Sequence, residues 1–554
     1  MVRRTSPIFV PFLGYLLTLT LAGCGYTSNL PESGVNSATS SMSDVAPKGA
    51  IQHVVVIFQE NVSFDHYFGT YPRALNLPGE SPFKALPGTP EVDGLSPDLL
   101  KNNPNATNPG NGAGATNPFR LSPAEATTSD QDHSYKSEQL AFHGGAMDLF
   151  PHSVGVADGP GFGNGMAVTT GLTMGYYDGN TVTAMWNYAQ HYAMSDRFFG
   201  TTFGPSTVGA INLISGQTNG VVDDGGAAGT MVPDGNGGFT LFANAAPLNE
   251  ICAGRGDLVH MTGKNIGDLL NAAGVTWGFF AEGFDRTMVN SNGTIGCLRS
   301  TTSTITKQTK LDYTSYLDPF QYYASTENPT HARPTVVQMI GHAGDGNTNH
   351  QYDIHDFFDA VKAGNFPAVS YLKSAAYRDG HAGYSDPLDE QAFLVHVINT
   401  IEQTPEWSHT VILITYDDSD GWYDHVYQVI NGSATARDAF SSTGTCGNAN
   451  TALPGVDPAT LHAQGRCGYG PRLPLLLISP WAKPNYVSHA IADQTSILRF
   501  IEDNFLNQQR IGQGSYDEIA GSIGDMFDFS SPTPKNGTTI LLDPTTGQIT
   551  NSNN

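Results

Sequence analysis

The segment from Thr410 to Tyr416 reads Thr-Val-Ile-Leu-Ile-Thr-Tyr. Successive side chains of a strand point to opposite faces, so a run without polar alternation must be buried on both. A strand of this kind belongs in the middle of a sheet that is covered on each side. Ile51 to Phe58, Val275 to Ala281, Ala368 to Leu372 and Leu473 to Ile478 are runs of the same character. Between them lie helical patterns at Thr183 to Tyr192, Asn265 to Ala273, Leu388 to Glu402 and Gln494 to Asn504. In the third, Leu388, Phe393, Val397 and Ile401 fall on or near one face, and Asp386-Pro387 supplies a cap with proline in the first turn. Strands alternating with helices predict an α/β fold with a mostly parallel central sheet and helices on both faces. Residues 73–130 and 217–260 are rich in turn-formers and read as long loop insertions. Beyond Asp528 the chain is polar with little pattern, and no internal repeat is visible.

Of the 554 residues, 39% are hydrophobic and only 14% are charged, with 62 glycines and 34 prolines. That balance suits a loop-rich exported enzyme. The formal net charge of −25 argues against nucleic acid as a partner. It leaves phosphate-bearing substrates open, because a bound cation can reverse the local sign of a site. Arg3 and Arg4 precede an apolar stretch from Ile8 to Ala22, as in an export signal. The stretch ends Leu21-Ala22-Gly23-Cys24, which resembles the lipobox of bacterial lipoproteins. The expected layout is a signal peptide over 1–23, a Ser/Asn/Gly-rich tether over 24–50, a catalytic domain over 51–528 and a polar tail over 529–554. The expected location is exported and lipid-anchored through Cys24 to a bacterial membrane, periplasmic or at the cell surface. An ordinary signal peptide or an uncleaved anchor is the alternative. Four cysteines remain after residue 24, and an even number suggests disulfides. Cys252–Cys297 with Cys446–Cys467 is the local choice among three connectivities.

Ligands of open α/β sheets bind beyond the carboxyl ends of the strands. Two of the strand runs lead straight into polar clusters there. The first continues as Gln59-Glu60-Asn61-Val62-Ser63-Phe64-Asp65-His66, and the second as Asp417-Asp418-Ser419-Asp420-Gly421-Trp422-Tyr423-Asp424-His425. Adjacent Asp417 and Asp418 repel unless a cation, a proton or solvent relieves them. Two such clusters at one predicted edge point to a hard divalent cation, against the plainer reading of a solvated acidic turn. All-oxygen donors favour Ca²⁺, Mg²⁺ or Mn²⁺ and allow Zn²⁺ or iron. Gly204-Pro205-Ser206 precedes an apolar helical stretch. Ser206 there is either a cap or a nucleophile whose anion the free N–H groups would stabilise. His133, in Asp132-His133-Ser134, and His381, in Asp379-Gly380-His381, are candidate proton donors or phosphoryl contacts.

Together these motifs resemble the bacterial phosphoesterase family of secreted phospholipases C and related acid phosphatases. The resemblance spans roughly residues 50–510. It includes Glu60-Asn61-x-Ser63-Phe64-Asp65-His66-Tyr67-Phe68-Gly69 and Pro319-Phe320-Gln321-Tyr322-Tyr323. It implies an alkaline-phosphatase-like fold, a metal held by Glu60, Asn61, Asp417 and Asp418 near Ser206, and Ser206 as the nucleophile of a phosphoserine intermediate. His133 and His381 would contact the phosphoryl or leaving group. The substrate class is a phosphomonoester or phosphodiester, phospholipid included. One departure stands out. Acid-phosphatase-like members often carry a His-His pair ahead of the Pro-Phe-Gln-Tyr-Tyr motif, whereas this chain has Tyr313-Thr314-Ser315-Tyr316-Leu317-Asp318. A non-catalytic surface binding protein on the same fold is the competing class. A sulfuric-ester hydrolase is disfavoured, because Ser206-Thr207-Val208-Gly209 does not match the formylglycine motif.

Overall fold

The structure is a computed structural model that describes residues 46–47, 49–155, 171–234, 237–254, 256–428, 467–537 and 539–553. The expected signal peptide, Cys24, nearly all of the tether and Cys446 lie outside the described residues. Among the described residues, no helix is long and apolar enough to cross a membrane.

The central sheet has eight strands. In chain order they are β1 (His53–Gln59), β2 (Ala193–Ser195), β3 (Trp277–Ala281), β4 (Gln351–Asp353), β5 (Val369–Lys373), β6 (Thr410–Tyr416), β7 (Leu475–Ile478) and β8 (Tyr486–Ser488). Their spatial order is β4-β3-β5-β1-β6-β7-β2-β8. Every neighbouring pair is parallel except the two made by β7, which runs against both β6 and β2. Val54 to Phe58 and Val411 to Ile414 are completely buried at consecutive positions, so both faces of the sheet are covered at its centre.

The main helices are α1 (Phe64–Phe68), α2 (Thr183–His191), α3 (Ser206–Ser215), α4 (Ile266–Ala273), α5 (Ile354–Lys362), α6 (Pro387–Glu402) and α7 (Gln494–Phe505). Their starts follow from capping. Asp386 accepts from the Leu388 amide to begin α6, and Asn265 and Asp353 make reciprocal capping boxes for α4 and α5. The patternless C-terminal stretch contains structure that its sequence does not advertise. Thr539–Leu542 and Ile549–Asn553 pair as a hairpin, β9 and β10, which exchanges hydrogen bonds between Leu542 and Asn399 of α6. Ile540 and Leu542 alternate with more exposed neighbours and are buried in the core, and Asn399 of α6 adds the polar contacts. The predicted Cys252–Cys297 bridge is present.

Candidate active site

The register of the two central strands assembles the site. β1 and β6 pair from His53 opposite Thr410 to Gln59 opposite Tyr416, so both end at the same level. The next residues, Glu60 and Asp417, therefore emerge side by side. The Asp417 amide donates to the Gln59 carbonyl (3.1 Å), and the Asn61 amide donates to Asp417 Oδ1 (3.1 Å). Asn61 sits at φ 61°, a left-handed conformation that asparagine tolerates better than most residues. This turn aims its side chain back into the cluster, where Nδ2 donates to Asp420 Oδ1 (3.1 Å).

Helix α3 brings Ser206 to the same place. Pro205 ends the preceding segment in extended backbone, and Ser206 is the first helical residue. Its hydroxyl donates to Asp418 Oδ2 across 3.1 Å. The helix approaches this closely because position 209 is glycine. A Cβ there would stand 2.0 Å from the Asp417 carbonyl oxygen. The two motif loops are also pinned to each other, as His66 stacks on Trp422 with ring centroids 3.8 Å apart.

Glu60, Asn61, Ser206, Asp417, Asp418, His133 and His381 are thus gathered at one end of the sheet. The first five are buried. His133 Nε2 lies 3.9 Å from Asp418 Oδ2 and 3.4 Å from Asn61 Nδ2, and its Nδ1 is 3.4 Å from Asp420 Oδ1. The His133 and His381 rings meet edge-on at 6.0 Å, and His381 stacks on Tyr384. Burial above all holds the His381 pKa below the ordinary histidine value. Asp417 is pushed well above the usual carboxylate range, first by burial and then by Glu60 and Asp418. Burial and then Glu138 do the same to Asp418.

The donor set fits a hard divalent cation. Asn61 Oδ1, Asp417 Oδ2 and Glu60 Oε2 are buried without a hydrogen-bond partner. Orphaned oxygens on three neighbouring residues are what a cation needs and what a structural polar cluster avoids. His133, His381 and Asp420 also offer ligand atoms within 4.8 Å of one another. Two further groups with metal-ligand chemistry are already engaged. Cys252 of the Glu250–Cys252–His331 group is in the disulfide, and Arg472 bridges Asp65 and Asp424 of the Asp65–Asp424–His425 group.

Several cluster residues were not singled out from sequence. Lys373, at the end of β5, places its ammonium 2.9 Å from Glu60 Oε1 and 3.6 Å from Asp379 Oδ2. A lysine closing an otherwise buried strand run was the available signal. Glu138 accepts from the Gly204 amide (2.9 Å) and the Ser419 hydroxyl (2.8 Å), bracing the loops around Ser206. Burial raises its pKa to about 7. Tyr316 lies in the segment ahead of the Pro-Phe-Gln-Tyr-Tyr motif, where the His-His pair is absent. Burial first, then Glu60 and Asp379, push the Tyr316 hydroxyl pKa up. His331, His350 and His355 do not compensate. They are engaged with Glu250, the Trp277 carbonyl and Asp285 respectively.

The model of the Phosphoesterase family matches residues 51–506, and the chain belongs to that family. It is 23% identical over 495 residues to a non-hemolytic phospholipase C of Pseudomonas aeruginosa, covering 87% of this chain and 58% of that protein. It is 25% identical over 497 residues to a non-hemolytic phospholipase C of Burkholderia pseudomallei (87% and 59%). It is 23% identical over 502 residues to phospholipase C A of Mycobacterium tuberculosis (87% and 78%). The chain therefore spans under two thirds of the length of the first two relatives.

Proposed function

We propose that the protein is a metal-dependent hydrolase of phosphoric esters that acts through Ser206. The observation that carries this reading is the Ser206 hydroxyl, first in its helix and 3.1 Å from Asp418, beside orphaned oxygens of Asn61 and Asp417. Glu60, Asn61, Asp417 and Asp418 would hold the ion, with Ser206 at its edge. The set suits Ca²⁺, Mg²⁺ or Mn²⁺ and tolerates Zn²⁺ or iron. When bound, such an ion neutralises phosphoryl oxygens and lowers the cost of ionising a hydroxyl.

The chain's own groups do the rest. Asp418 orients the Ser206 hydroxyl. Ser206 Oγ passes its proton to Asp418, to which it already donates, and forms a bond to phosphorus as the bond to the leaving oxygen breaks, giving a phosphoserine. His133 or His381 delivers a proton to the leaving alkoxide. Water then cleaves the phosphoserine and restores the hydroxyl. The positive end of the α3 dipole favours the negative charge developing there.

The relatives are named phospholipases C, which supports a phosphodiester of the phospholipid class as substrate. Lipidation of Cys24 would keep the enzyme at a membrane surface, and Cys24→Ala would release it into the soluble fraction. The deciding experiment compares p-nitrophenyl phosphate with p-nitrophenylphosphorylcholine, with and without EDTA. Turnover that the chelator abolishes and a divalent ion restores supports the reading, and the preferred ester identifies the substrate class. A metal-loaded protein that hydrolyses neither ester, nor a phospholipid, overturns it.

A further inference from the structure

The carboxylates at the sheet edge outnumber the charge that one divalent ion supplies. Glu60, Asp379, Asp417 and Asp418 are all buried. Lys373 is itself 4% exposed, too enclosed to meet a substrate. Its Nζ lies 2.9 Å from Glu60 Oε1 and 3.6 Å from Asp379 Oδ2.

Behind the ammonium is a small cavity lined by Asp312, Asp318, Asp379, Tyr313 and Lys373, among others, and Lys373 is its only cation. The other acids lining it have other partners. Asp312 faces Arg299 at 3.3 Å, Glu282 pairs with Arg378 at 2.7 Å, and Asp318 accepts from the Tyr313 hydroxyl at 3.2 Å. Glu60 and Asp379 have only Lys373 as a cationic partner among the described ion pairs.

We propose that Lys373 is a tethered counter-cation that limits the carboxylate cluster to one metal ion. Its ammonium occupies the ground between Glu60 and Asp379 that a second divalent ion would bridge. The inference rests on the metal reading of the site given above. Lys373 acts as a positioning residue: it holds one oxygen of Glu60 and leaves the other for the ion shared with Asn61, Asp417 and Asp418. Without it, two buried carboxylates lose their charge partner and become ligands for a further cation.

The test counts ions. The full chain is equilibrated with Mn²⁺, freed of excess by gel filtration, and analysed for Mn per chain by mass spectrometry, with Mn²⁺ electron paramagnetic resonance as a second readout. The wild type and Lys373→Arg are expected to hold one ion. Lys373→Gln is expected to hold two, with the exchange-coupled signal of a close pair. Lys373→Gln with one ion of wild-type affinity and an uncoupled signal overturns the proposal alone. A wild type that binds no ion overturns the metal reading and this proposal with it. If Lys373→Gln does not fold without metal, its refolding by Mn²⁺ supports the proposal. In that case Lys373→Gln/Asp379→Asn, which removes one charge of each sign, should fold without metal and hold one ion. Failure of the double variant to fold under either condition would make Lys373 a packing residue and overturn the proposal.

Discussion

Ser206 Oγ and Asp418 Oδ2 are 3.1 Å apart although 212 residues separate them in the chain. The contact joins the first residue of one helix to the loop after the central strand, and it defines the geometry on which the proposed chemistry depends. Ser206→Ala should fold normally, since the substitution deletes one hydroxyl and costs about 1 kcal/mol of hydrogen bonding. It should lower kcat on both nitrophenyl esters by roughly 10⁴-fold with little change in bound metal, because a lost nucleophile is not replaced by its neighbours. Steady-state kinetics beside a metal assay check both halves.

Gly209 provides a test of position rather than chemistry. A methyl at this residue would meet the Asp417 carbonyl oxygen at 2.0 Å and its carbon at 2.6 Å, both backbone atoms that a side-chain rotation cannot move. Gly209→Ala should therefore push α3 outward, destabilise the fold by about 1–3 kcal/mol and move Ser206 off its line. Urea denaturation measures the first effect. The second should appear as a fall in kcat larger than any change in KM.

Glu402 gives the stability a pH dependence remote from the site. Burial raises its pKa from 4.5 to about 8, against the opposing hydrogen bonds from the Tyr192 hydroxyl and the Ile540 backbone. A carboxyl whose folded pKa is raised keeps its proton longer in the folded state. Folding therefore bears no penalty below about pH 4.5 and loses stability as the pH rises toward 8, at up to about 1.4 kcal/mol per pH unit. Glu402→Gln mimics the protonated form. Thermal melts should show it near wild type at pH 4, more stable above pH 8, and with a flatter profile between.

The Cys252–Cys297 bridge joins residues 45 apart and closes a segment that carries α4 and the sheet strand β3. Loop-closure entropy assigns such a link about 4 kcal/mol. Cys252→Ser/Cys297→Ser should lower the melting temperature by several degrees while leaving the Ser206–Asp418 contact and kcat intact. Differential scanning calorimetry and ester turnover separate the two effects.

Sequence alone determined the central strands and the residues that follow them, because fully buried strands leave unbroken apolar runs and the charged residues after them have few other places to go. Thr410 to Tyr416 appears as the strand the run predicts, and Gln494 to Phe505 as the predicted helix extended by one residue. The two acidic motifs were legible for the same reason. Tertiary structure decided what depends on register and long-range approach. The pairing of Gln59 with Tyr416 sets Glu60 beside Asp417, and no local pattern specifies that pairing. Lys373 belongs to the cluster only because β5 lies next to β1, with Leu372 opposite Ile57. Glu138 reaches the Ser206 loop from a helix whose own periodicity carries no hint of it. The final hairpin is ordered by burial of Ile540 and Leu542 and by hydrogen bonds to Asn399, contacts that only the assembled fold supplies. Local chemistry is written in neighbouring residues, whereas a site built from four distant segments exists only once the sheet has chosen its order.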